Sequence, residues 1–280
     1  MPLAALVPPL QWPAEALWQA ISPVLPEFSV EILPELGSTN TELMRRARLG
    51  RTEPLLLVAE RQTAGRGRLG RSWSSHGTGE PEAVTGATGA TGATASLTFS
   101  LGLLLSPADW SGLSLAVGLA VANSLHPEVR LKWPNDLWFE GRKLGGILIE
   151  TVAVEQLRYA VIGIGINITQ PAAHDLRTLP AALRELLPDV DAAQALGQIA
   201  GPLVQTVLRF VHEGFAPLRA DYHARDVLYG REVVCTDGTT GQARGVDEGG
   251  ALLLHTAKGL QKISSAEVSV RPKSPVFAGH

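Results

Sequence analysis

The stretch "VRLKWPNDLWFEGRKLGGILIETV" (Val129–Val152) decides how the middle of this chain folds. Two segments rich in apolar residues flank "FEGRK", where Gly141 supplies a turn, so we predict two strands joined at this point. The apolar run "LRYAVIGIGINI" (Leu157–Ile168) predicts a further strand. Three strands are therefore expected in series.

A helix and a strand are predicted upstream of this stretch. "GSTNTELMRRARLG" (Gly37–Gly50) is typical of a helix in which Thr39 is the N-cap, Glu42 closes a capping box and Gly50 ends the last turn. The run "PLLLVAE" (Pro54–Glu60) predicts a short buried strand. This strand leads directly into a segment rich in glycine and arginine.

The remaining segments divide the chain into two parts. We predict a strand over Ser96–Leu105, a helix over Ser106–Pro127 with a serine cap and a terminating proline, and helical segments from about 171 to 220. From Arg231 to Arg271, short β segments alternate with turn signals, which is typical of a small all-β, barrel-like unit. The boundary near Tyr229–Gly230 predicts two domains, residues 1–229 and 230–280.

A low-complexity segment interrupts the first domain. Residues 74–95 ("SSHGTGEPEAVTGATGATGATA") are small, polar and rich in glycine, with a GAT repeat and almost nothing to bury. We predict that this segment is a disordered insertion.

Composition narrows the class of protein. The net charge of −3 argues against a general nucleic-acid binder, and the single cysteine, Cys235, rules out an internal disulfide framework and fits a reducing compartment. We read neither a signal peptide nor an apolar run long enough to span a membrane. A cytoplasmic protein is expected.

Lysine is rare in this chain, and its placement is informative. There are 19 arginines and 5 lysines, and only Lys132 and Lys143 precede residue 258. Chance among surface cations is one explanation. The other is that both positions need a compact ammonium group that a guanidinium group cannot replace.

The segment "ERQTAGRGRLGRSW" (Glu60–Trp73) is predicted to bind an anion. Its glycines let backbone N–H groups converge, and its arginines provide forked donors for phosphate or carboxylate. A mobile surface loop or an RNA-binding arm are the alternatives. A Walker phosphate loop is excluded by the missing Gly-Lys-Ser/Thr ending, and the GxGxxG at Gly65, Gly67 and Gly70 does not open a helix.

Two further groups of residues are candidates for a site. Asn135 and Asp136 follow a proline, where they can hold a hydrated Mg²⁺ or a neighbouring cation, and Gly145–Gly146 after Lys143 allow a ligand to lie against the backbone. A plain hairpin with a glycine bulge is the alternative. Asn167, at the end of "GIGIN", can offer a donor and an acceptor to adenine, although such an asparagine is often only a turn former.

Other catalytic classes receive little support. The seven histidines form no spaced pair of the kind that binds metals, there is no GxSxG nucleophile elbow, and Cys235 has no base nearby in the sequence. The chemistry that fits the candidates together is activation of a carboxylate by ATP. That reaction brings two anions to bonding distance, and arginine, lysine, backbone amides and Mg²⁺ stabilise it.

Four motifs in this order resemble the biotin–protein ligases. They are "GSTN", "AERQTAGRGRLGRSW", "KWPNDLW…GRKLGGIL" and "GIGINI", and the resemblance covers about residues 30–271. It implies an α+β catalytic domain with a mixed sheet and flanking helices, related to class II aminoacyl-tRNA synthetases and lipoyl ligases, plus an SH3-like C-terminal β-barrel. It also implies two half-reactions, in which biotin and MgATP give biotinyl-5′-AMP and the biotinyl group then passes to a carrier lysine.

The resemblance assigns roles to individual residues. For biotin it implies Ser38, Thr39, Asn40, Gln62, Gly65, Arg66, Gly67, Arg68, Lys143, Gly145 and Gly146. For ATP it implies Arg66, Arg68, Arg71, Trp73, Lys132, Asn135, Asp136, Lys143, Asn167, Glu267 and Arg271, with Asp136 as the Mg²⁺ ligand. Lys143, Arg66 and Arg68 are the catalytic set, and the arginine loop is expected to order over the bound ligands.

The resemblance also bears on partners and alternatives. It implies the biotin carboxyl carrier domain of acetyl-CoA carboxylase as protein substrate, with biotin and ATP as further substrates, Mg²⁺ as activator and no tightly bound cofactor. It leaves open whether the enzyme is a homodimer. Only about 36 residues, without a basic recognition helix, precede "GSTN", so no DNA binding is expected. A lipoate–protein ligase is the nearest alternative, and an arginine-loop RNA-binding protein is a more distant one.

Overall fold

The fold was analysed in a computed structural model, which describes residues 10–73, 94–171, 180–264 and 270–273. The helices are α1 (Ala14–Ile21), α2 (Thr39–Arg48), α3 (Leu113–Leu125), α4 (Ala192–Glu213) and α5 (Arg219–Arg225). The strands of the first domain are β1 (Ser29–Leu36), β2 (Leu55–Gln62), β3 (Gly65–Arg66), β4 (Ser72–Trp73), β5 (Ser96–Leu105), β6 (Arg130–Lys132), β7 (Asp136–Phe139), β8 (Arg142–Val154) and β9 (Leu157–Asn167). The tail contains β10 (Glu232–Cys235), β11 (Thr240–Val246), β12 (Leu252–Thr256), β13 (Gly259–Ile263) and β14 (Val270–Pro272).

A seven-stranded mixed sheet forms the centre of the first domain. Its order is β1-β2-β5-β9-β8-β7-β6, with β1 parallel to β2 and the other pairs antiparallel. One face carries the main apolar core against α1, α3 and α4, while α2 packs on the opposite face. The predicted mixed sheet with flanking helices is confirmed.

The tail forms a five-stranded antiparallel sheet in the order β13-β12-β11-β10-β14. Among the described residues β13 and β14 do not pair, so the sheet is compatible with an SH3-like barrel without being closed. Its buried residues, among them Val233, Leu252 and Val270, belong to the same apolar core as the catalytic sheet. The buried Trp133 indole N–H also donates to the Gly250 carbonyl oxygen at 3.0 Å.

Several local predictions were confirmed. The strands at β2, β5 and β9 lie where they were expected, and the turn between β7 and β8 is made by Glu140 and Gly141, both with positive φ (46° and 76°). Gly50 follows α2 with φ of 81°, the left-handed conformation that glycine adopts without strain.

Other local predictions were wrong. Ser38, not Thr39, caps α2, because its hydroxyl accepts from the Thr41 N–H, and Glu42 pairs with Arg45 and Arg46 instead of closing a capping box. The helix predicted from Ser106 begins only at Leu113, after Gly112 in the left-handed conformation.

The strand and helix counts also needed correction. The stretch Val129–Val152 holds three strands, not two, because the short β6 precedes Pro134. The segment "AALRELL" contains only a 3-10 turn (Leu183–Glu185), and 172–179 lie outside the described residues.

The predicted insertion lies largely outside the described part of the chain. Residues 74–93 are not described, so their predicted disorder stays a prediction. Ala95, which we included in the insertion, is buried, and its carbonyl oxygen accepts hydrogen bonds from the Ile168 and Thr169 N–H groups. The order of the sheet therefore extends back at least to Ala95.

Candidate active site

A cleft of about 120 Å³ opens on the α2 face of the large sheet. It is bounded by the start of α2, the glycine- and arginine-rich loop (residues 63–73, hereafter the Gly/Arg loop) and strands β6 to β9. The predicted residues that line it are Ser38, Thr39, Asn40, Gln62, Arg66, Gly67, Arg68, Arg71, Trp73, Lys132, Asn135, Asp136, Lys143 and Gly146. Residues far apart in the sequence therefore meet at one site.

One end of the cleft is neutral and polar. The Gln62 amide oxygen accepts from the Thr39 N–H at 2.7 Å and from its hydroxyl at 3.2 Å. The Ser100 hydroxyl oxygen lies 2.7 Å from both Thr39 Oγ1 and Asn40 Oδ1, and Asn40 Nδ2 donates to the Leu148 carbonyl at 3.1 Å. We call Thr39, Asn40, Gln62 and Ser100 the neutral polar cluster. All four are buried, and such fully bonded polar groups hold one geometry.

The start of α2 and a glycine of β9 fix this cluster. Because Ser38 takes the N-cap, Thr39 and Asn40 enter the first helical turn and point at the sheet. A Cβ on Gly163 would lie 2.0 Å from Asn40 Oδ1, so only glycine leaves room for this side chain. A close ligand is one reason for a glycine inside a strand. Gly163 instead makes room for a side chain of the protein.

The other end of the cleft is cationic around one carboxylate. Lys143 Nζ lies 2.6 Å from Asp136 Oδ1, and Lys132 Nζ lies 3.5 Å from Oδ2. Burial opposes the charge of Asp136, but the two ammonium groups outweigh it and keep the pKa of this carboxyl below its usual value. Burial lowers the pKa of Lys132 despite the attraction of Asp136, and its ammonium also lies 5.1 Å from the centre of the Trp138 ring.

A β-bulge places Lys143 in the cleft. In the β7–β8 pair Leu137 lies opposite Gly145 whereas Trp138 lies opposite Lys143, so Leu144 is the extra residue. The bulge shifts the alternation of side chains by one residue, and Lys143 joins the face that carries Gly146. A Cβ on Gly146 would lie 3.2 Å from Lys143 Nζ.

The Gly/Arg loop lies over the cleft as a small two-stranded ribbon. Gly65 pairs with Trp73 and Arg66 with Ser72, and the Gly67 N–H donates to the Arg71 carbonyl at 2.7 Å. Arg68 Nη1 donates to Asn135 Oδ1 at 3.3 Å, while Asn135 Nδ2 donates to the Ile147 carbonyl at 2.7 Å. Asn135 therefore holds one of the loop arginines beside the two lysines.

Trp73 covers the middle of the cleft. A Cβ on Gly165 would come within 2.6 Å of the Trp73 indole, so the ring lies directly on this part of β9. The indole nitrogen is buried, and no hydrogen-bond partner for it lies among the described residues. An aromatic wall thus lies between the two polar ends of the cleft.

Four predicted residues lie outside the lining, and a fifth is not described. Gly65 and Gly145 allow close backbone approach, because their Cβ atoms would lie 2.5 Å from the carbonyl oxygens of Trp73 and Gly165, respectively. Asn167, expected to bind adenine, is buried, and its amide group donates to the Ala181 carbonyl at 3.0 Å. Arg271 lies on β14 and contributes to the lowered pKa of Lys132, after burial, and Glu267 lies outside the described residues.

Sequence reasoning missed Ser100, Phe99, Leu148, Gly163 and Gly165, which also shape the cleft. A signal for Ser100 was present: in β5, Ser96, Thr98 and Ser100 alternate with apolar residues although the strand is buried on both faces. A buried strand with a polar stripe indicates hydrogen-bond partners on that side.

A resident metal does not fit these residues. Asp136 is already paired with two ammonium groups, and within the described ranges no three His, Cys, Asp or Glu side chains come together as metal ligands. Mg²⁺ is usually held by phosphates and water with one or two carboxylates. Any Mg²⁺ at this cleft is therefore expected to enter with the phosphates of MgATP and not to be held by a resident set of protein ligands.

The arrangement suits an elongated ligand with a neutral, hydrogen-bonding head and an anionic tail. Five basic side chains line the cleft, and Asp136 is the single carboxylate among its lining residues, so the cleft can hold further anions beside the tail. Separately, none of the helices in the described ranges has the length and apolar character that a membrane span requires.

Comparison with known proteins identifies the family. Residues 34–167 match the model of the Biotin/lipoate A/B protein ligase family, and residues 229–271 match that of the Biotin protein ligase C terminal domain. The biotin–[acetyl-CoA-carboxylase] ligase of Mycobacterium tuberculosis (strain ATCC 25618 / H37Rv) is 32% identical over 264 residues, covering 85% of this chain and 88% of that protein. The enzyme of that name from Paracoccus denitrificans is 32% identical over 247 residues, covering 85% and 98%.

A solved structure agrees. The biotin protein ligase from Aquifex aeolicus in complex with biotin and ATP superimposes with a TM-score of 0.70 at 28% identity, covering 87% of this chain and 99% of that one. Both domains, the order of the motifs and the relatives point the same way. The chain belongs to the biotin protein ligase family.

Proposed function

We propose that this protein is an ATP-dependent biotin–[acetyl-CoA-carboxylase] ligase. The observation that carries the proposal is the cleft itself, which joins the neutral polar cluster to a cationic end across an aromatic wall. Biotin has a neutral urea head, an apolar ring and chain, and a terminal carboxylate, so its groups follow the same order.

The neutral polar cluster binds the head of biotin. Ser38, Thr39, Asn40 and Gln62 supply uncharged donors and acceptors, which match a urea carbonyl and its N–H groups. Polar groups held in one geometry discriminate in favour of a ligand whose own donors and acceptors match them. The carboxylate of biotin then extends towards Lys143 and Arg68.

In the first half-reaction, a carboxylate oxygen of biotin attacks the α-phosphorus of ATP. A new P–O bond forms, the bond to the bridging oxygen breaks, and pyrophosphate leaves with that electron pair, giving biotinyl-5′-AMP. Lys143, Lys132 and Arg68 stabilise the negative charge, which is concentrated in the transition state. Mg²⁺ accompanies the phosphates of the substrate ATP.

In the second half-reaction, the uncharged amine of a carrier lysine attacks the acyl carbon. The C–O bond to AMP breaks, AMP leaves as an anion, and the nitrogen loses a proton, so that an amide forms. We propose the biotin carboxyl carrier domain of acetyl-CoA carboxylase as the carrier. The Gly/Arg loop and Trp73 shield the mixed anhydride from water until this step.

Lipoate is the competing acid. Its head is a disulfide ring with no urea, so it offers neither N–H donors nor a carbonyl acceptor to the polar side chains of Thr39, Asn40 and Gln62. The match to the Biotin protein ligase C terminal domain also favours biotin. A cytoplasmic location suits an enzyme that uses ATP and carries a single, unpaired cysteine.

The test is ATP–pyrophosphate exchange with the purified protein and Mg²⁺. Biotin is supplied to one sample and lipoate to another, and a third sample has neither acid. We expect exchange with biotin alone. Exchange with lipoate alone would transfer the protein to the lipoyl ligases, and no exchange with either acid would contradict the proposed adenylation.

A further inference from the structure

Glu150 lies between the neutral polar cluster and the Gly/Arg loop. Its Oε2 accepts from Asn40 Nδ2 at 3.0 Å, and its Oε1 lies 3.3 Å from Arg66 Nη1. One carboxylate therefore contacts the predicted biotin-head site and the first arginine of the loop. Glu150 lies outside the four sequence motifs.

The strand β8 places Glu150 at the rim of the cleft. Beyond the bulge at Leu144, side chains alternate regularly, so Gly146, Leu148 and Glu150 share one face. Gly146 and Leu148 line the cleft, and Glu150 is the next residue outward on that face. The backbone of a central strand, paired with β9 along its length, is a rigid support for such a contact.

Asn40 sets the orientation of the Glu150 carboxylate. Its own side chain is confined by Gly163 and held by Ser100 and the Leu148 carbonyl. Since Oε2 of Glu150 is bonded to this fixed amide, Oε1 is directed at Arg66. Any rearrangement of Asn40 would therefore reach Arg66 through one side chain.

The Gly/Arg loop depends on contacts of this kind. Its own ribbon consists of two residue pairs, and a hairpin this short is not stable by itself. Arg66 with Glu150 on β8 and Arg68 with Asn135 in the β6–β7 turn join it to the edge of the cleft. Leu69, the residue after Arg68, has a positive φ of 57°, a conformation that costs a non-glycine residue free energy.

We propose that Glu150 is a positioning residue that holds the Gly/Arg loop closed over the cleft by pairing with Arg66. The inference rests on the proposed function, in which that loop protects the adenylate. Half of the Arg66 side chain is exposed, so the pair is a weak one and its loss should change loop opening by about two- to fivefold. Glu150 thus tunes the lifetime of the closed loop and takes no part in the chemistry.

The test compares Glu150→Gln with the wild type by hydrogen exchange across residues 65–73, without ligands and with biotin plus ATP. The amide oxygen of glutamine can still accept from Asn40 but carries no charge for Arg66. We expect exchange in the loop to be about two- to fivefold faster, and release of biotinyl-5′-AMP to accelerate by a similar factor. Biotin binding by the head should change less than twofold.

The dependence of loop exchange on salt distinguishes an ion pair from a contact that only packs against the loop. Because salt screens an exposed ion pair, loop exchange in the wild type should rise with ionic strength, whereas that of Glu150→Gln should stay flat. The control is Glu31→Gln on β1, which removes the partly exposed carboxylate that pairs with Arg46 of α2 and does not line the cleft. It should leave loop exchange unchanged.

Unchanged loop exchange in a folded Glu150→Gln protein would overturn the inference, as would an equal acceleration in Glu31→Gln. Exchange without ligands does not depend on activity. A failure of the inference is therefore distinct from a failure of the proposed function, which would appear as wild-type protein without biotin-dependent pyrophosphate exchange.

Discussion

Lys143 Nζ lies 2.6 Å from Asp136 Oδ1, and this contact turns the ammonium group of an exposed, flexible side chain into the cleft. Lys132 contacts the other oxygen of the same carboxylate from a buried position. The three charges sum to +1, so the lysines are held close together while the site still attracts anions. The Gly146 backbone lies so close to Lys143 that an added Cβ would be 3.2 Å from Nζ. A guanidinium group is broader than an ammonium group, so it cannot take the place of Lys143 without displacing Asp136 or Gly146.

Lys143→Arg is expected to lower the rate of adenylate formation by about 10²- to 10³-fold, the usual cost of losing a donor aimed at developing charge. The charge is conserved, so the loss would reflect geometry alone. Single-turnover formation of biotinyl-5′-AMP is the measurement. Lys258→Arg, at an exposed position of the tail, is the matched control and should behave as the wild type. Near-normal turnover of Lys143→Arg would remove this residue from the chemistry.

Gly163→Ala is expected to destroy biotin binding. Its new methyl group would lie 2.0 Å from Asn40 Oδ1, and Asn40 cannot yield because Ser100, Leu148 and Glu150 all hold it. Calorimetric titration with biotin measures the loss. Gly197→Ala in α4, where the new Cβ makes an ordinary 3.8 Å contact with Pro13, should bind normally and gain up to about 1 kcal/mol of helix stability. Normal affinity in Gly163→Ala would mean that Asn40 has freedom that the structure denies it.

Ser100→Ala is expected to weaken biotin binding by about 1–3 kcal/mol, because the change leaves Thr39 and Asn40 with an unmade buried hydrogen bond. The effect should appear in the KM for biotin more than in kcat, since Ser100 orients the head site and lies away from the reacting atoms. Ser124→Ala, which removes only an intrahelical bond to Ala120, is the comparison. Equal KM values in the two variants would contradict the role given to Ser100.

The buried carboxyl group of Asp226 is expected to make the free energy of unfolding fall as the pH rises. Burial raises the pKa of this carboxyl to about 6, although the Leu228 N–H bonded to Oδ1 opposes the rise. Between about pH 4 and pH 6 the folded state binds more protons at this group than the unfolded state, so its contribution to the free energy of unfolding falls as pH rises and then stays constant.

Asp226→Asn removes that titration. As the pH rises from 4 to 7, the free energy of unfolding of the wild type should fall by up to about 3 kcal/mol relative to that of the variant. Most of this fall should occur below pH 6. Urea unfolding at a series of pH values measures it. A difference independent of pH would show that Asp226 has an ordinary pKa in the folded protein.

Much of the sheet was predictable because its strands carry local signals. The apolar runs at β2, β5 and β9 and the positive-φ turn at Glu140–Gly141 are properties of neighbouring residues. Most of the motif residues line one cleft, since each motif lies at the end of a strand or the start of a helix, and their roles in binding stay predictions.

What could not be predicted depends on partners distant in the sequence. Thr39 looked like a helix cap, but Gln62 and Ser100 attract it to the sheet, and Ser38 takes the cap. Nothing in the sequence indicated that the Asn167 amide group donates to the Ala181 carbonyl, and its contact with adenine stays a prediction. Gly145–Gly146 suggested a bulge in this hairpin, but not that Leu144 would be the extra residue, which determines which way Lys143 points.

Trp133 gives the tail domain a larger part in the enzyme than its place in the sequence indicates. The residue is one peptide bond from Lys132, and its indole N–H donates to Gly250 of the tail. Because both domains share one core, a chain cut at Tyr229–Gly230 would yield two fragments with exposed apolar faces, and neither fragment would have a complete core. Split versions of this enzyme would therefore need a split site elsewhere in the chain. The C-terminal sheet would have to stay on the same fragment as Lys132 and Lys143.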